Sequence, residues 1–285
     1  MSNSKKITFN YLGHLGRIGN QMFQYAALLG IAKHKGYDYS LPPNNMNHIL
    51  LYDCFELDNF NKKISEWSSF ERISPKIHSF DENFFNNCSE NVDILGFFQT
   101  EKYFKHIEND IKKHYTFKKD IFLRSREYFD KLCRDNNVIS LHVRLTDNVD
   151  HSIMKKVDFE YYKKSLSCFD EDLPVIIFSD DIETCKKERL FFGSRFSFVE
   201  SSSQFVDLCM MSMCKYHIIS NSTFAWWGSW LANSDKVIAP KKWYNDYIHN
   251  TNEWYEISQL RLWNPYEDET IWESKDICPD EWILA

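Results

Sequence analysis

Short runs of apolar, partly β-branched residues recur along the chain, each followed by a polar turn and then by apolar residues at helical spacing. The first run, Lys5 to Leu12, reads as a strand. The segment after Met22 has helical composition, and a second strand at Tyr37–Leu41 is stopped by Pro42 and Pro43. Residues 44–91 are polar and aromatic with poor periodicity and read as short elements and loops around a cleft. A strand at 91–99 precedes helical segments at about 101–115 and 118–135. Regular alternation then resumes. Strands are predicted at the start of 137–148 and at 173–179, 195–200, 216–220 and 236–239, with helices at 158–169, 182–190, 204–215 and from Ser222. Strand–helix alternation at this spacing means parallel sheets covered on both faces. A boundary near 131–137 divides the chain into domains 1–134 and 135–285, with the acidic, Trp-bearing tail packing back across the first.

In open α/β sheets, ligands bind beyond the carboxyl ends of the strands, so the residues that end each apolar run matter most. The stretch 137–148 turns from apolar to His142, Arg144 and Asp147 within a few positions. Arg144 has two readings: a fork gripping phosphate or carboxylate, or an ion pair with a neighbouring acid. The strand at 175–178 ends in Ser179-Asp180-Asp181, where carboxylates could bind a metal, accept from a nucleobase amide or cap the next helix. The strand at 216–219 ends in Ser220-Asn221-Ser222-Thr223, hydroxyls and an amide at a helix start that suit an oxyanion. Asp170-Glu171-Asp172 spells D-x-D but precedes its strand, on the edge away from a ligand. The glycines Gly13, Gly16 and Gly19 depart from the dinucleotide fingerprint, so their loop is either a phosphate cradle or a tight turn.

Composition narrows the classes. The 285 residues are 43% hydrophobic, enough for a core and against disorder. A net charge of −7 without a basic tract argues against nucleic acid as partner. The eight cysteines are scattered, with no C-x-x-C pair, as in a reduced protein without a zinc site. The first apolar segment is too brief and polar for a signal peptide, and no run is long enough to span a bilayer. A cytoplasmic location is the expectation.

The motifs together carry a resemblance. Residues 16–26, GRIGNQMFQYA, 96–104, GFFQTEKYF, 142–147, HVRLTD, 178–181, FSDD, and 220–231, SNSTFAWWGSWL, resemble in order the blocks of the α-1,2-fucosyltransferases of glycosyltransferase family 11. One departure stands out: Leu145 occupies the place of the second Arg in H-x-R-R-x-D. The resemblance implies a GT-B-like α/β architecture, two Rossmann-like domains facing across a cleft. It implies GDP-fucose as donor and a metal-independent, inverting transfer to O2 of a galactoside, with no cofactor. Arg144 would bind pyrophosphate, Asp181 and the backbone near His142 would hold guanine, and Asn20 would face the cleft from the acceptor side. Gly16, Arg17 and Gly19 join the donor-binding set, as do Ser220, Asn221, Ser222 and Thr223. Asp147 is the candidate base or the group that orients Arg144, with Asp150 and His151 as alternatives. The implied partner is a galactose-terminated glycan of surface or O-antigen type, with peripheral contact to a membrane-bound, lipid-linked form as an option. A fucosyltransferase of other linkage, or an inactive GDP-sugar or glycan binder, remains the alternative.

Overall fold

A computed structural model of the protein describes residues 5–43, 48–57, 68–133, 136–146, 154–201, 203–232, 234–244 and 274–285. They fall into two α/β units, one of residues 5–116 with 274–279 and one of 117–244 with 280–285.

The first unit contains strands β1 (Lys6–Thr8), β2 (Asp38–Ser40), β3 (Glu71–Ile73) and β4 (Val92–Ile94), all parallel in the order β2-β1-β4-β3. Its helices among the described residues are α1 (Ile18–Lys35), α2 (Leu51–Cys54), α3 (Glu82–Asn87) and α4 (Glu108–His114). Helix α1 is buried almost all round from Ile18 to Ala32, because it fills the middle of the unit. It ends at Gly36, whose left-handed backbone (φ 67) lets its N–H reach the carbonyls of Ala32 and Lys33. At Gly30 an added Cβ would lie 2.0 Å from the Tyr103 carbonyl oxygen, so only glycine permits this approach of the 3-10 turn Glu101–Tyr103. The helical segment expected at 101–115 is thus two 3-10 turns followed by α4.

The second unit contains α5 (Lys119–Leu132), β5 (Ile139–Val143), α6 (Phe159–Leu166), β6 (Val175–Ser179), α7 (Ile182–Lys187), β7 (Phe196–Phe198), α8 (Gln204–Met211), β8 (Tyr216–Ile218), α9 (Thr223–Leu231), β9 (Lys236–Ala239) and β10 (Ile283–Leu284). The six strands are parallel in the order β10-β9-β8-β5-β6-β7. Alternate residues feed two cores. Ile139, Leu141, Val175 and Ile177 pack with Tyr162 and Leu166, while Val138, Ile176 and Phe178 pack with Phe129, Val206 and Met210. That is the pattern of a sheet buried on both faces. Helix α5 lies in this unit, ahead of the boundary expected near residue 134, because Phe129 joins the second core and Ser125 Oγ donates to the Val206 carbonyl. Among the described residues no helix is long and apolar enough to cross a membrane.

Burial pushes the imidazoles of His114, His142 and His217 down to about 4 and that of His78 to about 3. All four lie below the free value of 6.5, so between about pH 4 and 6.5 the unfolded chain binds more protons than the folded one. Stability then falls as the pH falls through that window. Asp207, raised to about 6, and Asp93, raised by burial, oppose this but are outnumbered. The urea midpoint is expected to be lower at about pH 5 than at about pH 7.5; equal midpoints would contradict the burial of neutral imidazoles.

Candidate active site

In the second sheet the chain passes from β5 outward to β6 and β7, then returns to the other side of β5 with β8 and β9. The carboxyl ends of β5 and β8 therefore form a topological switch point, where open α/β sheets take their ligands. His142 on β5 and Ser220, just past β8, meet there with Nδ1 and Oγ 2.8 Å apart, and both are buried. Burial first, then the charge of Arg144, lowers the imidazole's pKa to about 4 against the opposing pull of Asp180. A neutral ring bonds the hydroxyl in either tautomer.

Arg144 is half-buried, and its Nη1 donates to the main-chain carbonyl of Asn221 at 3.1 Å. The wholly buried Asn221 amide donates to the carbonyls of Lys155 and Trp243, at 2.6 and 3.1 Å. Its side chain anchors two neighbouring segments. Ser222 is the N-cap of α9, where its side chain makes no capping bond and its N–H donates to the Ser220 carbonyl at 2.8 Å. Thr223 opens the helix. The positive end of α9 thus lies beside Arg144's partner. The helix packs on its neighbours: the Trp226 and Trp282 rings lie 5.5 Å apart, and a Cβ on Gly228 would come within 2.6 Å of Met211 Cβ.

The two carboxylates after β6 divide their work. Asp180 accepts from the N–H of Leu145 at 2.8 Å and from the N–H and Oγ1 of Thr146 at 3.0 and 2.6 Å. Partial burial pushes its pKa up, but these donors outweigh it and hold the carboxyl below its ordinary value. Asp181 caps α7: Oδ1 accepts from the Thr184 N–H at 3.1 Å and Oδ2 from the Thr184 hydroxyl at 2.6 Å. Those two bonds lower its pKa. Of the three readings open for Asp181, capping is the one its geometry displays. Asp180, which latches the two residues after Arg144, was given no such role from sequence. Leu145 packs its side chain against the core beneath β5 and β6. Asp147, Asp150 and His151 lie outside the described residues.

The remaining candidates belong to the first unit. Gly16 has φ 81, and a Cβ there would lie 2.0 Å from Asn20 Nδ2. Arg17 is the exposed N-cap of α1 without a side-chain capping bond, and Gly19 lies buried in that helix. Asn20 Oδ1 accepts from Gln99 Nε2 at 3.0 Å. Gln21 Nε2 donates to the His48 carbonyl at 3.1 Å, and Gln24 Nε2 to that of Leu15 at 3.0 Å. Both glutamines therefore fasten loops, in keeping with the tight-turn reading of the glycines. The structure thus gathers His142, Arg144, Ser220 and Asn221 in one unit and Gly16, Asn20 and Gln99 in the other. The Asp170–Asp172 turn enters β6 at its amino end, as expected. Among the described residues no cluster of three His, Cys, Asp or Glu could hold a metal ion.

Comparison with known proteins adds to this geometry. The family model described as glycosyl transferase family 11 matches residues 1–264. The chain is 28% identical to an alpha-1,2-colitosyltransferase of Escherichia coli, over 94% of this chain and 96% of that protein. It is 24% identical to the galactoside 2-alpha-L-fucosyltransferase SEC1 of Bos taurus, over 78% of this chain and 64% of that one. The solved fucosyltransferase NodZ from Bradyrhizobium shares the fold, with a TM-score of 0.54 at 12% identity, covering 81% of this chain and 94% of that structure.

Replacing Asp180 tests the latch. Asp180→Ala is expected to speed amide exchange at Leu145 and Thr146 by roughly tenfold or more, since bonds to a charged acceptor are lost. Exchange at wild-type rates would show that the loop is held by something else.

Proposed function

Because the chain belongs to glycosyl transferase family 11, we propose that it transfers fucose from GDP-fucose to O2 of a terminal galactoside, with inversion and without a metal. The observation that carries this reading is the meeting of Arg144 with the start of α9 at the switch point of the second sheet, through the bond to Asn221. Cleavage of the donor's C1–O bond leaves negative charge on the β-phosphate, and both groups can stabilise it. The acceptor O2 forms the new bond to C1 from the opposite face, and its proton goes to a base, for which Asp147 is the candidate. Neutral His142 keeps the strand ends together without adding charge beside the guanidinium. Gly16, Arg17 and Gly19 complete the proposed donor set, and Asn20 stands on the acceptor side. Location at the cytoplasmic side of a membrane, in peripheral contact with a lipid-linked glycan, belongs to the same reading.

A second reading concerns the donor, because the relative at 28% identity is named for colitosyl transfer. Radiolabelled GDP-fucose offered with a β-galactoside, in parallel with a colitosyl donor, separates the two, and NMR of the product gives the linkage. Faster colitosyl transfer would move the assignment to that sugar.

Arg144→Ala is expected to cost about 100- to 1000-fold in transfer, and Arg144→Lys to restore little, because a point charge cannot reproduce a two-pronged grip. Retention of more than about a tenth of wild-type kcat would refute the role. Full activity is expected in EDTA; loss to chelator with recovery on adding Mn²⁺ or Mg²⁺ would overturn the metal-free mechanism.

A further inference from the structure

Helix α5 carries apolar residues on more than the side that packs. Ile121, Ser125 and Phe129, spaced four apart, are buried along one stripe, and Phe129 joins the second core. Phe122 and Leu123 lie off that stripe and are 49% and 55% exposed. Lys118 and Lys119 precede them by one turn, at the i,i+3 and i,i+4 spacings that bring side chains together on a helix surface. Two cations at a helix start oppose the macrodipole, which favours acids there, so the helix gains nothing from them. Among the described residues neither lysine forms an ion pair, whereas Arg126 and Lys131 further along pair with Asp130 and Glu127. Residues 118–126 thus hold four cations against Asp120 alone, in a chain of net charge −7.

The place of this patch in the second unit is fixed by two bonds. Tyr128 Oη accepts from the N–H of Glu200, just past β7, at 3.1 Å, and Ser125 Oγ donates to the carbonyl of Val206, near the start of α8, at 3.2 Å. The middle of α5 is therefore level with the connection that leaves the carboxyl end of the sheet. Its last turn leads to the amino end of β5, so its first turns lie at the carboxyl end, the end that carries Arg144 and the start of α9.

We propose that the first turns of α5 are a docking surface for a bilayer rich in anionic phospholipid, with Phe122 and Leu123 entering the headgroup region and Lys118 and Lys119 beside the phosphates. Anionic groups and hydrocarbon at adjacent depths match lysines and apolar side chains that adjoin on a convex helix face. The lysine stems reach along the apolar pair while their ammonium groups stay in the headgroup layer. Two cations and two apolar side chains give weak, reversible docking, and the negative remainder of the chain is repelled by the same lipid. None of these residues belongs to the groups proposed for sugar transfer, so the two proposals fail separately.

Flotation of the whole chain with vesicles tests the surface. Wild type is expected to bind phosphatidylcholine vesicles containing about 40% phosphatidylglycerol at least about tenfold more tightly than pure phosphatidylcholine, and to be released as salt rises to about 0.5 M. Phe122→Ser combined with Leu123→Ser should weaken that binding by about tenfold or more. Lys118→Glu combined with Lys119→Glu should weaken it by about thirtyfold or more. The urea midpoint of the lysine variant should stay at or above wild type, because acids suit a helix start. Phe192→Ser replaces an exposed apolar residue ahead of the amino end of β7 and should bind as wild type does. Absent binding, no preference for the anionic vesicles, undiminished binding by either double variant, or an equal loss in Phe192→Ser would overturn the assignment. So would a wild-type dimer in sedimentation that the Phe122→Ser, Leu123→Ser pair dissolves, since the face would then join two copies of the chain.

Discussion

The bond between His142 Nδ1 and Ser220 Oγ ties together the carboxyl ends of β5 and β8, and the rest of the candidate site is built out from it. Arg144 lies two residues beyond the imidazole, and Asn221, whose carbonyl it holds, lies one residue beyond the hydroxyl. Both members of the pair are buried, so each must find its partner there rather than in water. Burial keeps the imidazole neutral, so it adds no positive charge beside Arg144. Asp180 then latches the residues that follow, so a strand end that could fray is held on both sides of the guanidinium.

Much of the second unit was legible in the sequence. The apolar runs at β5, β6, β8 and β9 are bounded by polar turns, and a strand buried on both faces needs no more signal than that. In the first unit the strands expected at 5–12, 37–41 and 91–99 contain β1, β2 and β4, whereas β3 is three residues long with Glu71 and Arg72 among them and fell in a stretch read as short elements and loops. A run that short has no periodicity to read. The tail illustrates a different limit. Asp276 pairs with Lys102 in the first unit, while Ile283 and Leu284 add β10 to the edge of the second sheet. Backbone pairing of two residues leaves no mark in composition.

The placement of candidate residues was legible where they close an apolar run, as for Arg144 beyond β5 and the hydroxyls opening α9. It was not legible where neighbours of one type divide two tasks. Nothing in the letters distinguishes Asp180 from Asp181, yet one latches the Arg144 loop and the other caps α7. Asn221 read as an oxyanion ligand, whereas its amide donors go to Lys155 and Trp243, segments distant in sequence. Leu145 read as a departure from the motif; in the fold it is a half-buried apolar residue over the core of the second unit.

The proposed site for a nucleoside diphosphate is where β5 and β8 end, against Arg144 and the start of α9. Hydrogen–deuterium exchange with and without saturating GDP tests this placement. Protection on GDP binding is expected at residues 142–146 and 220–226, centred on the two strand ends. Unchanged exchange in both segments while calorimetry reports binding would place the diphosphate elsewhere and contradict it.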